Sequence, residues 1–210
     1  MLRVLYRALR SKLVTLYVIF KNRNCVMSYD SNLANNNIFG YQVKIADKCR
    51  VFASNIGDYS YLADNVSLNK CKIGKFCSIG PSSKINLGNH PINAVSTSPS
   101  TYSETTSKEY SRFIDVTIGN DVWIGADVKV CGGVTIGHGA VIGACSYINQ
   151  NVPPYAVVVG IPGKIIKYRF DEKTISKLIK LSWWDWPVDK IKDIASAGGF
   201  DNVQAFIKKN

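Results

Sequence analysis

Between Val116 and Asn151 the chain divides into sixes, VTIGND, VWIGAD, VKVCGG, VTIGHG, AVIGAC and SYINQN, with Ile118, Ile124, Val130, Ile136, Ile142 and Ile148 at one constant spacing. An α-helix repeats about every 3.6 residues and a half-buried strand every two, so neither has this period. A unit of one short strand and one corner does have it. Three such units close a coil with three flat sides, the parallel β-helix of hexapeptide repeats. Successive coils stack about 4.8 Å apart, so Ile118 is expected beneath Ile136 and Ala126 beneath Ala144. Strands of an ordinary sandwich would instead alternate with period two, with turn clusters about every 8 to 12 residues.

The same period starts imperfectly at Val43, through Ile45, Val51, Ile56, Leu62, Leu68, Ile73, Ile79 and Ile85, where two of the steps are five residues. A corner shortened by one residue keeps its aliphatic pointing inward, so coils of seventeen and eighteen residues can coexist, nearly five coils in all. Residues 24 to 41 are rich in Asn and Ser, with turn chemistry at Tyr29-Asp30-Ser31-Asn32 and Asn35-Asn36-Asn37, and read as a lead-in. The repeat stops for the 32 residues between Ile85 and Ile118, which hold Gly88-Asn89-His90-Pro91, Ser96-Thr97-Ser98-Pro99 and the polar run Ser103 to Ser111. A long irregular excursion held at both ends by regular coil is a place to expect function.

The net charge is +11, and residues 1 to 24 carry Arg3, Arg7, Arg10, Lys12, Lys21 and Arg23 with no acid, which implies an anionic partner for this segment. No recognition helix, zinc finger or RNP-like pattern accompanies the charge, so nucleic acid is not expected. Leu2, Val4, Leu5, Leu9, Leu13, Leu16 and Ile19 recur at helical spacing among those cations. The apolar run Leu13 to Phe20 is too short to span a bilayer, and no small-residue cleavage site follows it. Two readings stay open: a basic amphipathic helix lying through residues 1 to 22 on the inner face of the cytoplasmic membrane, or a helix packed within its own trimer.

The six cysteines form no CxxC pair and are expected to be reduced, buried fillers of a cytoplasmic protein. From Asp171, a plausible N-cap, the period turns helical, and Pro187 separates two short helices. Trp183, Trp184 and Trp186 are expected to close the open end of the coil. The resulting division is a basic helix over residues 1–24, a β-helix over 25–170 with a loop at 86–115, and a helical cap over 171–210.

Four segments, KIGKFCSIGP (72 to 81), GNHP (88 to 91), IGNDVWIGADV (118 to 128) and VPPYAVVVGIPGKIIKYRFDEKTISKLIKLSWWDWP (152 to 187), together resemble the hexapeptide-repeat xenobiotic acetyltransferases. That group includes streptogramin and chloramphenicol acetyltransferases and many bacterial sugar and polysaccharide O-acetyltransferases. The likeness runs from about residue 43 to 195, in order as well as in type. It implies an all-β, left-handed coil, a handedness opposite to the general rule for parallel crossovers. It also implies a homotrimer with active sites in the grooves between subunits, acetyl-CoA as co-substrate, and His90 as general base. By the same resemblance Gly160, Lys164 and Arg169 approach the adenosine end, where cations meet phosphates.

Acyl transfer to a neutral hydroxyl needs a base that takes the proton as the new bond forms, and imidazole suits pH 7. The chain has two histidines. His138 sits in a regular corner, Ile136-Gly137-His138-Gly139, and is given no chemical role. His90, read from its neighbours alone, is an exposed turn residue; the resemblance makes it the catalytic residue. Asn89 stands beside it, either as an oxyanion donor with the backbone of Trp123 to Gly125 or as an orienting group, a role also open to Asp30, Asp58, Asp64 or Asp115. Trp123 lines the acceptor side or wedges a subunit contact. Gly125, Ala126, Gly143 and Ala144, two small pairs eighteen residues apart, either leave room for the pantetheine arm of acetyl-CoA or simply fill tight corners.

The function expected is an acetyl-CoA-dependent O-acetyltransferase acting on a sugar of a bacterial surface polysaccharide or its lipid-linked precursor. Antibiotic O-acetylation, amino-sugar N-acetylation and a non-catalytic trimeric scaffold are the alternatives. No metal is expected: the gamma-type carbonic anhydrases share the architecture but need three histidines per zinc.

Overall fold

The computed structural model describes residues 2–104 and 113–209. The chain winds a left-handed parallel β-helix of about seven turns. Among the described residues the first face stacks seven parallel strands, Val26–Met27, Lys44–Ile45, Tyr61–Leu62, Ser78–Ile79, Trp123–Ile124, Val141–Ile142 and Ala156–Val159. The second face holds Asn32–Leu33, Arg50–Phe52, Ser67–Asn69, Lys84–Leu87, Lys129–Cys131 and Tyr147–Ile148, and the third holds Ile38–Phe39, Asn55–Ile56, Cys71–Ile73, Val116–Ile118 and Thr135–Ile136. Ile118 pairs with Ile136 and Ile124 with Ile142, which places Ala126 over Ala144 as the spacing predicts. Coils of both lengths occur, since Val26 pairs with Lys44 and Lys44 with Tyr61.

The interior is one aliphatic column per face. Leu33, Val51, Leu68, Ile85, Val130 and Ile148 fill the second face and are at most 2% exposed. Where the chain turns a corner an N–H cannot reach the next carbonyl, and a buried serine bridges the gap. Ser31 Oγ accepts from Cys49 N–H at 3.0 Å, Ser54 Oγ from Cys71 at 3.1 Å and Ser60 Oγ from Cys77 at 2.9 Å. Buried backbone polar groups are thereby satisfied without lengthening the strands.

Residues 24 to 41 are not a lead-in; they wind the first coil. Leu33 is its fully buried aliphatic, while Met27 and Phe39 fill the other inward positions only partly buried. Below this coil lies helix α1, Leu2–Lys21. The first coil has no earlier coil to pair with, and Thr15 stands in for it: its hydroxyl donates to Ser31 O (3.3 Å) and accepts from Leu33 N–H (3.1 Å). Val14, Val18 and Ile19 pack beside Thr15 on the core, whereas residues 3–10 are exposed throughout.

The C-terminal segment departs from expectation. After Val159 the chain reverses through Gly160 to Gly163, and Lys164–Tyr168 returns antiparallel to Ala156–Val159. This hairpin, with Gly163 against Ile148 and Val158, covers the end of the coil. The helices that follow, α2 (Glu172–Leu181), α3 (Val188–Ser196) and α4 (Val203–Lys209), lie along the corner between the third and first faces. Asp171 caps α2, accepting from Thr174 N–H at 2.8 Å, and Pro187 precedes α3. The tryptophans do not close the end of the coil as expected; they clamp its flank. Trp183 packs on Phe76 (centroids 4.9 Å) and Trp184 stacks on His138 (4.7 Å, 16°). Corners bearing large or polar side chains in the left-handed region, such as Phe76, Asp121 and Tyr155, offer a side on which helices can pack.

Burial raises the Cys71 and Cys77 thiols to about 12, which makes them inert fillers. Cys145 is exposed and Cys131 half-buried, so not every cysteine is a core residue.

Candidate active site

The coil is interrupted between Leu87 and Val116, at the corner between the second and third faces. A bulge between Ile85 and Leu87 turns the chain outward. Asn86, buried at 3% with φ +66°, anchors the exit by donating its amide to Asn69 O at 2.7 Å. Four residues on, His90 is exposed in this single chain. Its Nδ1 lies 2.9 Å from Thr97 O and 3.1 Å from the Tyr102 hydroxyl, and that hydroxyl donates to the same carbonyl at 3.0 Å. A carbonyl only accepts, so Nδ1 carries the proton and in the neutral ring Nε2 keeps the lone pair. The ring is therefore held in the tautomer a base needs.

Thr97 and Tyr102 orient the imidazole, and sequence reasoning missed both. They lie within the irregular loop, where no period marks a partner. Asp30, expected as a substrate contact or orienting group, belongs elsewhere: it sits at the first coil, its carboxylate 3.2 Å from Lys12, whereas His90 leaves the fourth. Asp58 accepts from Tyr41 N–H and Asp64 from Asp47 N–H, so both are occupied at corners. Asn89 is exposed beside His90.

Gly125, Ala126, Gly143 and Ala144 stack at the corner between the first and second faces, and Gly160 and Lys164 continue that edge at the end of the coil. Gly160 N–H donates to Ser146 Oγ at 3.1 Å, tying the hairpin to this edge. Arg169 is not part of it. It lies at a different corner, its Nη1 donating to Gly139 O (2.8 Å) and Asp121 (3.2 Å) beneath the helical cap, away from the small-residue edge. Trp123 projects from the first face, 56% exposed, while the His90 loop leaves the far edge of the second. One chain thus holds the base apart from the small-residue edge, which Trp123 borders two residues before Gly125.

Residues 115–150 match the family described as Bacterial transferase hexapeptide (six repeats). The chain is 42% identical over 138 residues to a chloramphenicol acetyltransferase of Morganella morganii, covering 61% of this chain and 66% of that one. It is 39% identical over 144 residues to a protein of Lysinibacillus sphaericus named "Probable macrolide acetyltransferase", covering 64% and 77%. The chain belongs to the hexapeptide-repeat acetyltransferases. The acetyltransferase spans about two thirds of the length of the first of these relatives. Among solved structures, a maltose O-acetyltransferase of Clostridium difficile 630 superposes with TM-score 0.54 at 27% identity, covering 64% of this chain and 72% of that one.

In this acetyltransferase His138 serves the fold. Its Nδ1 accepts from Asn120 N–H at 2.8 Å, so the proton sits on Nε2, and the ring stacks on Trp184. Burial lowers its pKa, with the Asp185 carboxylate opposing. A lowered folded-state pKa means the unfolded chain binds the proton more tightly. The stability it confers is full above the ordinary value of about 6.5 and is lost as pH falls through the lowered folded value. His138→Phe keeps the stack and removes the titration. The thermal midpoint of the wild type should fall more steeply than that of His138→Phe on going from pH 7 toward 5; parallel profiles would remove this role.

Proposed function

We propose that the chain transfers an acetyl group from acetyl-CoA to a hydroxyl of a small antibiotic of the chloramphenicol or macrolide kind, with His90 as general base. The observation that carries the chemistry is the imidazole held at Nδ1 by Thr97 O, with no partner for Nε2 among the described residues. Nε2 takes the acceptor's proton as its oxygen bonds to the thioester carbonyl, and returns it to the departing CoA sulfur. The Thr97 carbonyl steadies the transient imidazolium through Nδ1–H. Backbone N–H groups near Asn89 would meet the developing oxyanion; those of Trp123 and Gly125, expected for this from the sequence, already donate to Ala140 O (3.0 Å) and Ile142 O (2.8 Å) of the next coil. The small edge at Gly125, Ala126, Gly143, Ala144 and Gly160, with Lys164 at its end, would take the pantetheine arm and phosphates.

This acceptor replaces the polysaccharide sugar expected from the sequence, because the similarity reported above runs to proteins named for antibiotics over most of the coil. The separation of His90 from the small-residue edge favours a homotrimer, in which a neighbouring copy brings its edge to this base. A sugar of a lipid-linked polysaccharide precursor is the second reading. It is favoured by α1, whose exposed apolar and cationic faces fit peripheral membrane association through residues 1–22.

Release of CoA thiol from acetyl-CoA should be measured with chloramphenicol, a macrolide, a streptogramin, neutral sugars and amino sugars. Turnover with chloramphenicol or the macrolide is expected. Turnover confined to sugars would establish the second reading, and transfer to an amine would replace O- by N-acetylation. No turnover on any acceptor would leave a scaffold.

A further inference from the structure

Helix α1 divides into two faces with different fates. Val14, Thr15, Val18 and Ile19 are packed on the first coil. On the opposite side Leu5, Leu9, Leu13, Leu16 and Phe20, spaced by four, four, three and four, form a continuous stripe, each residue more than half exposed. At about 100° per residue that stripe points away from the coil. The first eight described positions after Leu2 overhang the coil altogether, a projection of about 12 Å. An apolar overhang of this length is marginal as a helix in water and calls for an occupant.

The charge around the stripe indicates which one. Arg3, Arg10 and Lys21 flank one side of it, no acid occurs in residues 1 to 24, and of the cations in that stretch Lys12 alone, among the described residues, is drawn into an ion pair with the coil. A surface built for a second copy of itself would bring like charges together. A surface of anionic headgroups over acyl chains satisfies stripe and cations at once. No helix among the described residues is long and apolar enough to cross a membrane, which leaves lying on it.

We propose that α1 docks the protein flat on an anionic bilayer, its apolar stripe in the headgroup–acyl boundary and the coil axis rising from the surface. Cyclic symmetry sets every copy of α1 in an oligomer at one level along the symmetry axis, so the helices of a trimer engage the same surface together. The loop leaves the fourth coil, three steps of about 4.8 Å above the first. His90 therefore stands about 20 Å above the helix axis once half a helix diameter is added. A hydroxyl reaching it must come from beyond the headgroups, as on a lipid-linked glycan of several units or a soluble acceptor. The docking rests on α1 alone; only this placement of the reaction rests on the proposed role of His90.

Sedimentation with phosphatidylcholine vesicles, with and without phosphatidylglycerol, reads docking without any acyl transfer. The full chain should pellet with the anionic vesicles and remain free of the neutral ones. Leu9→Asp/Leu13→Asp should abolish binding, and Arg3→Glu/Arg10→Glu should weaken it by at least about 30-fold. All four positions are exposed, so thermal midpoints should match the wild type. A wild type that stays in solution with anionic vesicles overturns the proposal. So does a wild type that forms double-sized oligomers split by Leu9→Asp/Leu13→Asp, which would assign the stripe to another copy. Acceptor turnover is read separately and stands or falls without the vesicles.

Discussion

His90→Ala is expected to lower kcat by about 10²- to 10⁴-fold, with acetyl-CoA binding and thermal stability unchanged. The stability part follows from exposure: the ring is outside the coil and its partners are loop groups, Thr97 O and Tyr102. The rate part follows from the tautomer. With Nδ1–H held by a carbonyl, Nε2 is the ring nitrogen left to accept a proton, and His90 is the one imidazole in the described loop. Tyr102→Phe removes one of the two groups around Nδ1 but leaves the carbonyl, so its loss should be much smaller. A kcat in His90→Ala within tenfold of wild type would show that His90 does not move the proton. Unchanged acetyl-CoA affinity by calorimetry, alongside a large kcat loss, separates the chemical role from cofactor binding.

Gly125→Ala should destabilise the coil by about 1–3 kcal/mol, read as a lowered denaturation midpoint. The reason lies in the next coil. A Cβ at Gly125 would sit 2.7 Å from the Ala144 backbone nitrogen and 2.9 Å from its Cα. Those atoms belong to a corner pinned on either side, by Gly143 N–H to Val158 O and Cys145 N–H to Ala126 O, and cannot swing aside as a flexible side chain would. The substitution thus also decides between the two readings of this small-residue edge. If stability falls while the KM for acetyl-CoA in the surviving folded fraction is unchanged, Gly125 is small for the coil. If stability holds and KM rises, it is small for the pantetheine arm. A variant unchanged in both would mean that the coils have slack at this corner, and the close spacing would lose its argument.

The coil itself was legible because its rule is local and repeated. Each six-residue unit buries one aliphatic, and away from the loop and the last coil the partner of a strand residue lies seventeen or eighteen positions away, so the register of Ile118 on Ile136 needed no knowledge of distant contacts. The rule's interruption was legible for the same reason, and it marked the loop that carries His90. Where polar residues crowd the unit, as in residues 24 to 41, the signal sank: Leu33 is the only inward aliphatic of that coil that is fully buried.

The sequence by itself therefore determined the winding, the inward column and the position of the break, since all three follow from a period that neighbouring units share. Only the tertiary structure decided that Trp183 and Trp184 clamp a flank instead of an end, that Arg169 joins Asp121, that Asp30 holds Lys12, and that Thr97 selects the tautomer of His90. These are single meetings of groups brought together without any repeat, decided by which surface was nearest once the coil had formed.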